Sequence, residues 1–350
     1  MEINIKKLEK VNLNSYQECF QKNGVEKKVE NLDWLFFQNT ERRSFVNLAY
    51  DNNQIAAIYA STCVRFLING EIKQGTQSLD TLTDESYRGQ GLFIKLAKIV
   101  FNDIKEANIP LIYGFPNGNS IHGFEKKLDW INLDPVPFLI RPLHTKYFTN
   151  KLRFLKRLPN INLFIDNHKD NFISHYKNFK ISLNNEFPIE VNDLWTEFSK
   201  NFKVSVHRDK AYLDWRYINK PNENYQIFHC NNNSGEYLGY IVFCLKEKHD
   251  GRIGYIMELV YNPLTPKVGK LLLSAAINHL KSSSADCILS WCFQHSPNYK
   301  IFRKKLFFSM PERIRPIELH FAVRAFDKTL IPLLKDRKNW YLSYSDSDTV

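Results

Sequence analysis

The chain contains an internal repeat, and this repeat limits its possible folds more than any other sequence feature. The segment FEKKLDW at residues 124–130 recurs as FRKKLFF at residues 302–308, an offset of 178 residues, and the same offset places LIYGF on LSWCF. Upstream, LDWLF at residues 32–36 is answered by LDWRY at residues 213–217, with an offset of 181 residues. Because the period is so long, the repeat indicates two duplicated domains rather than a solenoid.

The sequence of each half predicts the same order of elements: two hairpin strands, then strand, helix, strand, helix and a final strand. The strands are short apolar or alternating runs, and the helices carry apolar residues at helical spacing. In the first half these elements are residues 45–50, 54–63, 76–82, 92–106, 111–115, 120–128 and 136–141. In the second half they are residues 225–230, 237–245, 256–261, 270–282, 288–293, 298–306 and 316–323.

The predicted fold class is therefore α/β, mixed and α+β-like, with two tandem domains. Each domain is expected to be a mixed sheet flanked by helices and closed by its own final strand. We place the domains at residues 1–145 and 166–350, joined by a basic linker at residues 146–165. A chain of 350 residues with 43% hydrophobic residues can bury a core in each half.

Composition restricts the partners. The net charge of +11 favours an anionic partner, but no zinc finger, RNP motif or helix-turn-helix pattern accompanies it, so a polyanionic small molecule is expected rather than nucleic acid. The six cysteines show neither a CxxC pair nor metal-ligand spacing, which predicts reduced thiols and no metal. No apolar run approaches a membrane span and the N-terminus has no apolar core, so we expect a cytoplasmic protein without stable membrane insertion.

Residues 78–91, SLDTLTDESYRGQG, predict a phosphate site. A strand leads through a turn with two glycines into an amphipathic helix, and backbone N–H groups at such a helix N-terminus suit a phosphate. In the second half Arg88-Gly89-Gln90-Gly91 is replaced by Pro266-Lys267-Val268-Gly269, which loses the arginine and one glycine. Proline also lacks an N–H donor. Only the first half is therefore expected to bind a phosphate cofactor.

With its strand, helix and second strand, the RGQG turn resembles the cofactor loop of the GNAT superfamily of acyl-CoA-dependent N-acyltransferases. The resemblance extends over roughly residues 30–145 and 200–330. It implies acyl-CoA as the donor, with acetyl-CoA or 3-hydroxybutanoyl-CoA as the expected forms. The cofactor-binding residues that it implies are Leu79, Thr81, Arg88, Gly89, Gln90, Gly91, Leu92, Phe93 and Asn117.

The sequence pattern SxDTLTxxxYRGQGLF, followed by YGFPNxNS, is similar to that of a tandem branch found among bacterial surface-polysaccharide enzymes. Members of that branch acylate nucleotide-linked amino sugars such as dTDP-3-amino-3,6-dideoxyhexoses, so the resemblance implies a nucleotide sugar acceptor and a role in lipopolysaccharide or capsule biosynthesis. Two alternatives remain open: an aminoacyl-tRNA-dependent transferase of the peptidoglycan type, and a non-catalytic metabolite-binding protein. The sequence leaves the oligomeric state open.

Three side chains are candidates for proton transfer: Asp80, His122 and Glu125. Asp80 is the first choice for a base, because it is a charge within an apolar strand and requires a partner there; a structural ion pair is the alternative. His122 could act as a base, bind substrate or cap a helix. Glu125 and Phe124 stand where many GNAT members carry a tyrosine acid, so water-mediated protonation of the thiolate is expected instead.

The second half is expected to supply the acceptor site. Trp215, Arg216 and Tyr217 offer ring faces for a base or sugar and a cation for a diphosphate, although an aromatic pair in a core is the alternative interpretation. Glu258 mirrors Asp80, and His295 aligns with Asn117. Both are candidate substrate-binding residues.

Overall fold

The computed structural model describes residues 2–145, 163, 174–176, 178–248, 251–315 and 317–349. Its strands form two eight-stranded mixed sheets. The first sheet contains β1 (Ile3–Lys7), β2 (Ser44–Asp51), β3 (Gln54–Ile68), β4 (Glu71–Thr83), β5 (Leu111–Gly114), β6 (Ile131–Asn132), β10 (Val204–Val206) and β16 (Ala322–Ala325). The second contains β7 (Phe138–Pro142), β8 (Ser174–Tyr176), β9 (Phe179–Leu183), β11 (Gln226–Asn232), β12 (Tyr237–Lys248), β13 (Gly251–Tyr261), β14 (Cys287–Trp291) and β15 (Phe308–Ser309).

Helices flank both sheets, which confirms the predicted mixed α/β fold class. The described helices are α1 (Leu13–Lys22), α2 (Val29–Phe37), α3 (Leu92–Glu106), α4 (Ile121–Leu128), α5 (Val191–Ser199), α6 (Lys210–Leu213), α7 (Pro266–Ser282), α8 (Tyr299–Lys304) and α9 (Ile331–Leu334). A π-helical turn, Asp214–Ile218, follows α6. Helix α3 has the predicted bounds because Leu92, Leu96, Val100 and Ile104 recur at helical spacing and bury one face.

The two halves exchange their final strands. Strand β7 from the first half pairs antiparallel with β14 in the second sheet, with Leu289 opposite Ile140. Strand β16 from the second half pairs antiparallel with β5 in the first sheet, with Tyr113 opposite Val323. The prediction that each final strand closes its own unit is therefore wrong. Both strands are short and mostly apolar, so their sequence indicates burial but not the neighbour with which they pair.

The repeat also differs in register. In the first half Thr76 of β4 lies opposite Ile112 of β5. In the second half Gly254, which the offset of 178 equates with Thr76, lies opposite Ile288 rather than Ser290. Strand pairing has therefore shifted by two residues between the copies, and an equivalence taken from the sequence offset alone, such as His295 with Asn117, does not hold along the whole unit.

The two LDW segments meet between the halves. The rings of Trp34 and Trp215 stack with centroids 4.6 Å apart, and both residues are buried. Each indole N–H donates to the other residue's carbonyl oxygen, at 2.9 Å from Trp34 and 3.3 Å from Trp215. The repeated tryptophans thus form a reciprocal contact that ties α2 to the π-helical turn.

Candidate functional site

Strands β4 and β5 form a fork. They pair in parallel from Thr76 to Ser78, and β5 then ends at Gly114 while β4 continues to Thr83. Beyond the last pair, the edge of β4 that faces away from β3 has no β5 partner. A cavity of about 180 Å³ lies in this opening and is called the fork cavity. It is lined by Ser78, Leu79, Asp80, Thr81, Gly114, Phe115, Pro116, Asn117, Ser120, Phe124 and Asp348.

The glycine turn lies between β4 and α3. Gly89 and Gly91 have φ of +81° and +74°, values that side-chain-bearing residues adopt at a cost, and open space surrounds both positions. Arg88 is exposed and forms an ion pair with Glu85 at 3.3 Å. Because the first N–H groups of α3 have no acceptor within the helix, the turn presents donors at a positive helix end.

Asp80 lies on a bulge of β4. The β3–β4 register shifts between Ile58 and Ala60, and Asp80 itself has φ of +48°. Its side chain, only 4% exposed, accepts from Lys27 Nζ on Oδ1 at 2.5 Å and from Tyr16 Oη on Oδ2 at 3.2 Å. Burial raises the pKa of Asp80 and Lys27 opposes the shift, while burial and Asp80 together raise the pKa of Tyr16.

A larger cavity of about 770 Å³ lies on the other side of Asp80, between the halves. This large cavity is lined by Glu26, Lys27, Lys28, Asn31, Leu32, Trp34, Leu35, Val64, Gln77, Leu79, Asp80, Tyr212, Trp215, Arg216, Lys220, Asn222, Glu223, Lys246, Glu247, Lys248, Ser345, Ser347 and Asp348. Leu79, Asp80 and Asp348 line both cavities. The bulge of β4 and the C-terminal segment therefore form the boundary between the two spaces.

Lys220 is a deeply buried cation in the wall of the large cavity. Its ammonium lies 5.6 Å from the ring centroid of Trp34 and 3.2 Å from Tyr225 Oη, and its side chain is 9% exposed. Burial lowers the pKa of Lys220 to about 7, and the neighbouring Arg216 acts in the same direction. A small change in its surroundings can therefore change the charge of this side chain near neutral pH.

The C-terminal segment, residues 341–348, is held by buried ion pairs. Arg208 is fully buried and donates to Glu258 at 2.7 Å and to both carboxylate oxygens of Asp346 at 2.7 and 2.8 Å. Burial raises the pKa of Asp346 to about 6 against the attraction of Arg208. Arg216 donates to the carbonyl oxygens of Ser345 and Ser347 at 3.2 and 2.8 Å. These bonds fix the segment that ends at the large cavity.

In the second half, the fork between β13 and β14 is occupied by the chain itself. The Leu259 carbonyl oxygen of β13 accepts from Asn298 Nδ2 at 2.8 Å, and Tyr341 Oη donates to Glu258 at 2.6 Å. The turn before α7 contains Pro266 as the first helical residue in place of the first half's glycines. The second fork thus lacks the features that leave the first one open.

The structure brings some predicted site residues together and leaves others apart. Leu79, Asp80, Thr81 and Asn117 line the fork cavity, whereas His122 and Glu125 line neither cavity. Asn117 Oδ1 accepts hydrogen bonds from the backbone N–H groups of residues 119 and 120. Among the described residues, the Nδ2 group of Asn117 takes part in no such hydrogen bond.

The predicted acceptor residues are also divided. Trp215 and Arg216 line the large cavity, while Tyr217 packs in the core against Phe187 and Tyr225. Glu258 is buried with Arg208 and lies in neither cavity. The His295 ring stacks on Phe293, and its Nε2 lies 2.8 Å from the Trp340 carbonyl oxygen.

Sequence reasoning missed most polar residues around the two cavities, among them Tyr16, Lys27, Lys220 and Asp348. No motif surrounds them, and Tyr16 and Lys27 are separated from Asp80 by 64 and 53 residues. The one available signal was the need of a buried Asp80 for a partner.

Within the described residues, no helix is long and apolar enough to cross a membrane. The same residues contain no group of three or more His, Cys, Asp or Glu side chains arranged to hold a metal ion. All six cysteines are buried thiols. The predicted linker, with its Lys146, Lys151, Arg153, Lys156 and Arg157 cluster, lies outside the described residues except for Leu163.

Comparison with known proteins bears on the family of the first half and on the fold of the chain. The acetyltransferase (GNAT) domain family matches residues 4–130. No curated protein matches the sequence. A probable N-acyltransferase of unknown function from Enterococcus faecalis V583 has a similar structure, with a TM-score of 0.61, 12% identity, and coverage of 95% of this chain and 75% of that one.

Two further solved structures show the same fold over both halves. Saccharomyces cerevisiae N-myristoyltransferase with bound myristoyl-CoA and inhibitors has a TM-score of 0.60 and 12% identity, with 93% of this chain and 80% of that chain covered. A tandem GNAT protein from the clavulanic acid biosynthesis pathway has a TM-score of 0.59 and 8% identity, with 93% and 98% covered. At these identities the structural likeness concerns the fold. Residues 4–130 therefore match a GNAT acetyltransferase domain, which confirms the prediction of an acyl-CoA-dependent acyltransferase, and the whole chain has a tandem GNAT-like fold.

Proposed function

We propose that this protein transfers an acyl group from acyl-CoA to the amino group of a nucleotide-linked amino sugar. The observation that carries the proposal is the position of Asp80, which lines the fork cavity on one side and the large cavity on the other. A donor in the first space and an amine in the second would meet at this residue.

The first half fits the donor. Coenzyme A carries a pyrophosphate, and the exposed turn at Gly89 and Gly91 offers close backbone approach and N–H donors at the start of α3. The unpaired edge of β4 at Leu79 and Thr81 can pair with the amides of the pantetheine arm as a strand would. The second fork is filled by Asn298 and Tyr341, which favours one donor site per chain.

The large cavity fits the acceptor. Its volume of about 770 Å³ lies in the range that holds a small-molecule ligand. Five lysines line its wall, Lys27, Lys28, Lys220, Lys246 and Lys248, and together they can attract a diphosphate, while the Trp34–Trp215 pair borders the same space with aromatic surface. Anionic and aromatic recognition together suit a nucleoside diphosphate sugar better than an uncharged amine.

The chemistry requires one new bond and one proton transfer. The neutral amine nitrogen attacks the thioester carbonyl carbon, a C–N bond forms, and the C–S bond breaks to release the thiolate. A sugar amine with a pKa near 8 arrives largely as an ammonium ion at neutral pH, so one proton must leave it before attack. Carboxylates at the junction of the cavities can accept that proton, and solvent can protonate the thiolate.

Two measurements on the purified chain test the proposal. Calorimetric titration with coenzyme A should show one site per chain, and binding should be lost or strongly weakened in Arg88→Glu but retained in Arg42→Glu, an exposed arginine that lines neither cavity. Release of free thiol is then followed with acetyl-CoA or 3-hydroxybutanoyl-CoA and a panel of nucleotide amino sugars. Absence of coenzyme A binding, or binding without thiol release for any amine, would contradict the proposal.

A further inference from the structure

The proposed transfer needs a proton acceptor, and the contacts of Asp80 make it poorly suited to that task. One of its oxygens accepts from Lys27 and the other from Tyr16, and its side chain is 4% exposed. Protonating this carboxylate would remove the charge that holds Lys27. A proton taken up there would also have little direct access to solvent.

Asp348 is a second carboxylate at the same junction. It lines both cavities, as Asp80 does, but the residue is exposed. Within the described residues its side chain takes part in no hydrogen bond or ion pair. Its charge acts on Asp80, raising the pKa of that carboxyl after burial and Lys27 have made their larger contributions. Asp348 therefore combines proximity to the junction with unoccupied acceptor oxygens.

The neighbours of Asp348 hold it in place. Ser347 accepts from Arg216 on its carbonyl oxygen at 2.8 Å, and its hydroxyl accepts from the Thr349 N–H at 3.0 Å. The Thr349 carbonyl oxygen accepts from Lys248 at 3.2 Å. A residue fixed on both sides and bearing an unengaged side chain is a suitable position for a catalytic group.

We propose that Asp348 accepts the proton of the acceptor amine and that Asp80 is a positioning residue; the inference rests on the proposed function above. The ammonium N–H passes its proton to an Asp348 carboxylate oxygen, the neutral nitrogen attacks the thioester carbonyl, and the protonated Asp348 then returns the proton to water at the exposed face. Asp80 binds Lys27 and Tyr16 and so fixes the position of the wall between the two cavities, where the substrates meet.

Replacing Asp348 tests this division of roles. We expect Asp348→Asn to lower kcat for thiol release by about 10²–10⁴-fold at pH 7, the usual range for loss of a general base, with coenzyme A affinity unchanged. Asp348→Glu should restore part of the rate. Asp193→Asn is the matched control, because Asp193 is an exposed aspartate on α5 that lines neither cavity, and it should behave as the wild type.

The pH dependence separates a base from a structural residue. As pH rises above the amine pKa of about 8, the acceptor arrives neutral and the deficit of Asp348→Asn should shrink, whereas a structural defect would persist. Asp80→Asn should lose rate at all pH values and keep the wild-type profile. An Asp348→Asn variant with wild-type kcat at pH 7, or with a pH-independent deficit, overturns the assignment while the transferase function stands. A wild-type chain that binds coenzyme A but acylates no amine overturns the proposed function, and this inference with it.

Discussion

The buried ion pairs of Arg208 provide a test of what holds the C-terminal segment in place. Arg208→Met keeps much of the side-chain volume but leaves the carboxylates of Glu258 and Asp346 without their cation in a site with no solvent access. It also removes the donors to Val206 and Ser343. Removing one partner of a buried ion pair costs about 3–5 kcal/mol, so we expect the free energy of unfolding to fall by this amount at pH 8.

The cost should depend on pH in a defined direction. Burial already raises the pKa of Asp346 to about 6 in the folded wild type, and loss of the guanidinium raises it further. The pKa of Asp346 in the folded state lies above its pKa in the unfolded state, which is about 3.9. The carboxyl therefore contributes most to stability below the unfolded-state pKa, and this stability is lost as pH rises through the folded-state pKa. The deficit of Arg208→Met should therefore be smaller at pH 5 than at pH 8, by up to about 1.4 kcal/mol per pH unit for one proton.

Urea unfolding followed by tryptophan fluorescence at pH 5 and pH 8 measures this difference. Lys200→Met is the control: it breaks the exposed pair with Glu197 at 2.7 Å, in which both side chains are more than half exposed, and should shift the midpoint little at either pH. A deficit for Arg208→Met as small as that of Lys200→Met, or one that grows toward pH 5, would refute the reasoning.

Two further changes test the donor turn and the contact between the halves. Gly91→Val and Gly24→Val both place a β-branched residue at positive φ in open space, so both should lower the free energy of unfolding by about 1–3 kcal/mol. Only Gly91→Val should weaken coenzyme A binding in a calorimetric titration. Equal loss of binding in both variants would count against the phosphate turn. Trp34→Ala and Trp215→Ala should each cost about 3–5 kcal/mol in urea unfolding, and because the rings stack on each other, the double variant should cost less than the sum; strict additivity would show that the reciprocal contact contributes nothing.

The local parts of this fold could be predicted from sequence. Helix α3 has its expected bounds because its apolar residues recur at helical spacing after Gly91, and the two predicted hairpins follow from apolar strands joined by polar turns. The exchange of β7 and β16 could not be predicted. They are mostly apolar strands of five and four residues, and nothing in so short a run selects one buried neighbour over another.

The glycine turn of the candidate donor site could be predicted for the same reason, and the rest of the candidate site could not. Arg88–Gly91 is a contiguous turn whose suitability for a phosphate can be recognised from four consecutive residues. Gln77 and Asp346, in contrast, are joined by a hydrogen bond across 269 residues of sequence. Lys27 and Asp348 belong to segments without regular patterning, so only the folded chain shows that they reach Asp80.

The duplication offers a physical account of the proposed acceptor site between the halves. In that half the fork is closed by Asn298 and Tyr341, and the bonds to Arg208 hold the C-terminal segment against β13. A copy that binds no donor can accommodate the C-terminal segment in its fork. That segment reaches the first half's bulge and brings Ser347 and Asp348 into the wall of the large cavity. Under the proposed function, the absence of a second donor site and the ordered wall of the acceptor cavity are two consequences of the same filled fork.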